Sequence, residues 1–351
     1  MLNNLTKLFA FVLMNSKLEG ASMSENKKRA LSLFSGGLDS LVVVKFMEKL
    51  GYEVIPVFFK TPFFHNEKAL HMAKVNHINI EVIDITEEHL EMLKNPRYGY
   101  GKFLNPCIDC HGLMFKILYR YLEKYDADFM ISGEVLKQRP MSQTKNALIA
   151  VGKVSTYADL IVRPLSQKLL QDTLPVREGW VKKEEMLDIQ GRTRSRQMQL
   201  ADELGIKEYP NSGGGCLLTD KGYTKRLQDL FDYEMLTKEF IQFLAYGRHF
   251  RIDNHTKLIV TRIKNESDIM TPQLKNEIVL KCKNVPGPLG IIQFKETVSQ
   301  DMIELCASIL LKYNSKASIS EIVSYGKVFE LNNDLTINQI TDEALAKYKI
   351  N

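Results

Sequence analysis

The chain has 351 residues, of which 44% are hydrophobic and 25% charged, and it carries a formal net charge of +5. That balance excludes a disordered or collagen-like chain and leaves room for two domains with full cores, while the mild basic excess admits a polyanionic partner without requiring one. Five cysteines without a secretory framework fit a reducing cytosol, so a close cysteine pair is read as metal or redox chemistry rather than as a structural disulfide.

In chain order, the first segment holds a short apolar run, Leu8-Phe9-Ala10-Phe11-Val12-Leu13-Met14, behind Lys7. It is too short to span a bilayer, and Met23 opens a natural start, so residues 1–28 are read as a disordered or over-called extension. A cytoplasmic chain with no membrane partner is expected.

The decisive feature follows. An apolar strand at 30–34 runs into Ser35-Gly36-Gly37-Leu38-Asp39-Ser40 and then into a helix over 38–50 with apolar Leu38, Leu41, Val42, Val44, Phe46, Met47 and Leu50. Two glycines let the backbone approach an anion, and the helix start presents unpaired N–H groups to it. Ser35 and Ser40 add hydroxyl donors. A carboxylate at Asp39 beside phosphates is repulsive unless a divalent cation bridges them, which implies Mg2+. With no Gly-Lys-Ser/Thr pair, this is not the Walker loop that grips a γ-phosphate. The bland alternative is a Gly-Gly turn between strand and helix.

Strand and helix patterns then alternate: strand 53–59, helix 66–76, strand 79–84, helix 112–125, strands 128–132 and 160–163, and helix near 194–204. Such alternation builds a parallel sheet covered on both faces, with ligands at the carboxyl ends of its strands, where Ser35–Ser40 and Gly133-Glu134 both fall. Within this region Asn105-Pro106-Cys107-Ile108-Asp109-Cys110 stands before a predicted helix, and Gly213-Gly214-Gly215-Cys216 forms a glycine-rich loop. Three thiolates without an obvious fourth donor point to a [4Fe–4S] cluster with an open iron, or to redox-active thiols. A zinc site completed by His111 is the alternative. Asp109 and Lys102 are read as solvated loop charges, Cys282 as a strand residue and Cys306 as core.

Beyond about 225 the pattern becomes β-rich. A hairpin is predicted from 247–252 and 257–263, further strands at 278–282 and 290–294 around Pro286-Gly287-Pro288, and a helix at 300–312. The expected fold class is therefore α/β, a parallel-sheet domain over 29–225 followed by a smaller α+β domain over 235–351.

The loop Ser35–Ser40 resembles the signature of the PP-loop ATP pyrophosphatases, which split ATP between the α and β phosphates and keep AMP as an activated adenylate. With Cys107, Cys110 and Cys216 added, the chain resembles the tRNA sulfurtransferases, both 4-thiouridine synthases and tRNA-specific 2-thiouridylases. Ser132-Gly133-Glu134 through Ser142-Gln143-Thr144 is similar to the nucleotide-adjacent segment of the former, and Gly191–Gln197 through Gly213–Asp220 to stand-alone thiolase-like members. A THUMP region, usual ahead of the 4-thiouridine synthase domain, is not expected here.

Residues 235–300 resemble the RNA-binding domain of the NFACT proteins through Gly247-Arg248-His249-Phe250 and Pro286-Gly287-Pro288, although Thr261-Arg262 stands where Gly-Arg is more usual.

The resemblance implies ATP-dependent tRNA uridine thiolation through an adenylated base, releasing AMP and pyrophosphate. Ser35, Gly36, Gly37, Leu38, Asp39, Ser40, Gly133 and Gln143 would hold ATP and Mg2+. Asp39, Cys110 and Cys216 would be catalytic; Cys107, Cys110 and Cys216 would hold a [4Fe–4S] cluster, or Cys110 would carry a persulfide and Cys216 attack to release the sulfur. The partners implied are tRNA and a sulfur donor, either sulfide or a persulfide carrier. Arg192, Arg194 and Arg196, with Lys137, Arg139 and Lys145, form basic stretches that suit tRNA phosphates, a solvated helix face being the alternative for each, and Arg163 and Lys168 could meet nucleotide phosphates. The alternatives are a PP-loop ligase that amidates tRNA, in the manner of tRNA lysidine synthetase, and a non-catalytic nucleotide-sensing RNA-binding factor.

Overall fold

The computed structural model describes residues 28–64, 66–211, 215–328 and 330–350; the N-terminal extension and Gly213-Gly214 lie outside the described residues. Two compact units are formed. The first takes the described residues up to Phe58 with His71–Glu81 and Met114–Pro210; the second takes Phe59–Leu70, Val82–Leu113 and the described residues from Asn211 onward.

An N-terminal parallel sheet is ordered β3-β2-β1-β4-β5, from β1 Arg29–Leu33, β2 Glu53–Lys60, β3 Glu81–Asp84, β4 Phe129–Ser132 and β5 Ile161–Val162. β1 is the central strand. Ala30 pairs in parallel with Val54 on one side and Phe129 on the other, and Ala30, Leu31 and Ser32 are fully buried. A strand buried on both faces reads as a continuous apolar run rather than an alternating one.

The helices lie where the apolar spacing predicts at Leu38–Lys49, Asn66–Val75 and Ser195–Glu203, and three more form at Thr86–Lys94, Lys145–Ser155 and Lys221–Asp232. The last two carry side-chain caps, Thr144 accepting from Ala147 N and Asp220 from Tyr223 N.

A smaller antiparallel α+β domain follows. Its six strands are ordered β11-β10-β8-β9-β7-β6: β6 Arg248–Arg251, β7 Thr256–Val260, β8 Ile278–Cys282, β9 Gly290–Phe294, β10 Ser320–Lys327 and β11 Glu330–Asn338. Alternate residues serve opposite faces. Leu258, Leu280 and Ile292 join a core with Cys306, Ile309 and Leu310 of the helix Gln300–Lys312, while Ile259, Val279 and Ile291 join Phe243 and Met270 on the other side. Cys282 and Cys306 are buried, as expected of a strand residue and a core residue.

One charged group sits deep in the second unit. Asp229, on the helix Lys221–Asp232, accepts from Arg251 Nε at 3.0 Å and Lys257 Nζ at 3.2 Å, and Lys257 is fully buried. Desolvation lowers the Lys257 ammonium to about 8, with the Asp229 carboxylate opposing that fall.

Candidate active site

β1 delivers the chain to the glycine loop. Phe34 N bonds Val57 O at 2.9 Å, Gly36 then takes φ 70°, and the helix begins at Leu38 with Gly37 as its N-cap. No side chain caps that helix, so its first N–H groups are available to an anion. Ser40 Oγ donates to Gly37 O at 2.8 Å and lies 3.3 Å from Ser35 Oγ, which also accepts from Gly37 N at 3.3 Å. The two serines brace the loop.

Asp39 faces inward. Its Oδ2 accepts from Gln138 Nε2 at 2.7 Å, and Gln138 Oε1 accepts in turn from Gln197 Nε2 at 2.9 Å. Oδ1 is buried without a partner. Burial raises the carboxyl above its ordinary value, against the Gln138 hydrogen bond and the positive charges of Arg194 and Arg139. An orphaned buried carboxylate oxygen beside an anion cradle fits a divalent cation, the group that would remove its desolvation cost.

Gly133 does its work through close approach. A Cβ there would stand 2.6 Å from the Asp39 carbonyl carbon and oxygen and 2.9 Å from Ser40 N. Gln143 is buried, and its backbone closes the loop that follows: Lys137 N bonds Gln143 O at 2.6 Å and Gln143 N bonds Arg139 O at 2.9 Å. Glu134 and Arg163 form a buried ion pair at 2.8 Å, with Ser132 Oγ donating to the same carboxylate oxygen at 3.2 Å. Arg163 Nη2 has no protein partner. Of the arginine run, Arg194 contributes charge at Asp39, whereas Arg192 and Arg196 are exposed.

The cysteines belong to the second unit. Here the sequence expectation needs correction, because Cys107 and Cys110 occupy the first turn of the helix Cys107–Tyr119 rather than a loop before a helix starting at 112. Pro106 O accepts from Cys110 N at 2.8 Å, which starts the helix early. Asp109 is no solvated charge either: it is buried, and its carboxylate accepts from Arg97 N and Tyr98 N, both at 2.9 Å.

Cys216 forms an isolated antiparallel bridge with Phe64, and Leu217 N bonds Phe63 O at 3.0 Å. Cys110 is buried. Burial, then the neighbouring Cys216 and Cys107 sulfurs, push its thiol well above the usual range. His89 was not foreseen. On the helix Thr86–Lys94, its Nε2 lies 3.3 Å from Cys110 Sγ, and its ring is covered by Phe63 and Phe64 at 5.2 and 5.9 Å. Burial lowers the imidazole to about 4, leaving it neutral near pH 7. The signal was its place on the buried face with Thr86, Leu90 and Leu93.

Three thiols are the donor type that holds iron or zinc. Among the described residues, however, no three His, Cys, Asp or Glu side chains form a group arranged to hold a metal ion. No helix among them is long and apolar enough to cross a membrane.

A glycine loop between a buried parallel strand and an uncapped helix, with an inward carboxylate, defines a PP-loop ATP pyrophosphatase domain. Residues 25–168 match the family model of the thiamine biosynthesis protein (ThiI), and residues 247–349 that of the NFACT protein RNA-binding domain. The chain thus joins a thiouridylase-like PP-loop domain to an NFACT-R-like domain.

A tRNA-specific 2-thiouridylase of Sulfurimonas denitrificans is 33% identical over 120 residues, covering 31% of this chain and 35% of the relative. An uncharacterized protein of Methanocaldococcus jannaschii is 25% identical over 266 residues, 73% of this chain and 86% of that one. A solved 4-thiouridine synthetase–RNA complex with bound ATP shares 23% identity over 53% of this chain and 44% of its own, with a TM-score of 0.35. The chain spans from about a third to about three fifths of the length of the thiouridylases it matches.

Proposed function

We propose that this protein is an ATP-dependent tRNA sulfurtransferase that replaces a uridine carbonyl oxygen with sulfur and releases AMP and pyrophosphate. The observation that carries this reading is the inward Asp39 carboxylate, held by Gln138 with one buried oxygen unpartnered, in a loop whose helix start is free to bind an anion. A uridine oxygen leaves poorly, so it must first be activated, and attack on the ATP α-phosphate makes it part of AMP.

The backbone N–H groups of Leu38, Asp39 and Ser40, with Ser35, would bind the pyrophosphate, across the turn made by Gly36 and Gly37. Gly133 would keep that backbone in place, and Gln143 would close the neighbouring loop. Mg2+ on Asp39 would neutralise charge on the departing pyrophosphate.

Sulfur is handled by Cys107, Cys110 and Cys216. In the form the thiols suggest as they stand, Cys110 carries a persulfide whose outer sulfur attacks the activated carbon as AMP leaves. Cys216 then attacks the Cys110 sulfur of the resulting Cys110–S–S–carbon link and breaks its S–S bond, so that the outer sulfur leaves on the uridine and a Cys110–Cys216 disulfide forms, which a two-electron thiol reductant resets. A [4Fe–4S] cluster on the same three cysteines is the other form, and no step is derived through it. All five cysteines are free thiols, which suits a reducing, cytoplasmic setting. tRNA is the proposed substrate and the NFACT-R-like domain its binding module; the donor is a persulfide carrier for the Cys110 persulfide form, or sulfide for the cluster form.

Pyrophosphate release from ATP with and without tRNA tests the first half. It should depend on RNA and vanish in Asp39→Ala; release unaffected by that substitution would end the reading. Anaerobic purification with iron assay, on wild type and Cys107→Ala, separates cluster from persulfide.

A further inference from the structure

The NFACT-R-like domain contains a cavity of about 760 Å3, within the range that encloses an organic ligand. Its rim carries Arg262, Lys264, Lys281 and Lys316, and no carboxylate lines it. Among the described residues Lys264, Lys281 and Lys316 form no ion pair, and all four cations are exposed. Arg262 is anchored instead, bonding Gly247 O through its guanidinium and standing 3.6 Å from Glu266. Cations gathered without counter-charges repel one another and lower stability, unless a polyanion is the intended neighbour.

The walls are not those of a bare phosphate site. Pro286-Gly287-Pro288 forms one side and Tyr313 contributes an aromatic ring, over which Arg248 stacks at 4.7 Å. The strap is set rigidly: a Cβ at Gly287 would meet Asn314 Nδ2 at 2.1 Å, and buried Asn314 is itself fixed by donation to Cys282 Sγ at 3.2 Å. Ile263, 61% exposed, adds an apolar surface at the rim. Flat apolar walls beneath a ring of cations suit nucleobases with their phosphates, and a cavity admits bases only when they are unpaired.

We propose that this groove is the domain's seat for an unpaired RNA segment, with Lys281 and Lys316 neutralising phosphates and the strap and Tyr313 receiving bases. The proposal rests on the reading that the chain binds RNA.

The test is fluorescence-anisotropy titration of the full chain with labelled tRNA and with an unstructured oligouridine, at several salt concentrations. The proteins are wild type, Lys281→Ala/Lys316→Ala, and Lys347→Ala, which removes an exposed lysine outside the cavity. Each phosphate contact contributes a salt slope of about 0.7 for a single strand, so the double variant should lose roughly 1.4 from its slope. Its affinity for oligouridine should fall by about tenfold or more at low salt, while Lys347→Ala and the thermal midpoint stay near wild type.

Wild-type binding that the double variant retains overturns the groove and leaves the RNA reading standing. Failure of wild type to bind either RNA overturns both. Equal loss in Lys347→Ala means diffuse attraction and overturns the groove, as does tighter capture of an acidic peptide such as oligoglutamate than of RNA.

Discussion

Replacing Gly133 by alanine puts the packing beside the pyrophosphate loop to a quantitative test. The new Cβ would sit 2.6 Å from the Asp39 carbonyl, about 0.8 Å inside the 3.4 Å at which ordinary contact begins. The obstructing atoms are backbone in the first turn of the helix Leu38–Lys49, whose Leu38, Leu41 and Val42 are at most 1% exposed. They cannot swing aside as a side-chain end could. Overpacking costs about 1–3 kcal/mol, and a rigid obstacle places this case in the upper half, about 2–3 kcal/mol. At about 2–4 °C per kcal/mol, the thermal midpoint should drop by roughly 4–12 °C.

Function should suffer more than stability, because the displaced atoms are the proposed pyrophosphate ligands and a misplacement near 1 Å costs on the order of 100-fold in rate. The assay pairs scanning calorimetry with pyrophosphate release at a temperature where both proteins are folded. An unchanged midpoint with unchanged turnover would refute the close-approach role of Gly133. A lowered midpoint with wild-type turnover would refute its coupling to the loop.

Other outcomes follow from the charges. Asp39→Asn should raise the thermal midpoint at pH 7 while abolishing pyrophosphate release: burial holds the folded carboxyl above its unfolded value, so ionising it as pH rises costs stability that asparagine does not lose. Asp229→Ala leaves Arg251 and Lys257 buried without their carboxylate and should cost about 3–5 kcal/mol in denaturant unfolding. Lys257→Met reports on the same group through pH. With the folded ammonium near 8 and the unfolded one at 10.5, the unfolded chain binds more protons between those values. Wild type should therefore gain stability relative to the variant across that window, on the order of 3 kcal/mol, and parallel pH curves would contradict a buried charged lysine.

The pyrophosphate loop was legible because every determinant is local: an apolar run, two glycines, and a helix whose apolar spacing begins at once. The parallel sheet followed from alternation, and the β6–β7 hairpin from two apolar segments around Asp253-Asn254-His255-Thr256. The β10–β11 ribbon was missed because β11, Glu330–Asn338, is largely polar and exposed, so it lacks the apolar run that marks a buried strand. The Gln197–Gln138–Asp39 relay joins residues 59 and 99 positions apart, and nothing local marks a glutamine as a partner for a distant carboxylate. His89 escaped for a related reason. Its contact with Cys110 depends on how two helices pack, and the early helix start at Cys107 reflects the Pro106 carbonyl rather than apolar spacing.

The most direct test of the central claim is nucleoside mass spectrometry of tRNA incubated with the protein, ATP, Mg2+ and sulfide or a persulfide donor. The account predicts a uridine heavier by the exchange of oxygen for sulfur, formed with one AMP per event by wild type and absent with Asp39→Ala and Cys216→Ala. Pyrophosphate release with no sulfur entering the RNA, or thiolated uridine formed without Cys216, would contradict it.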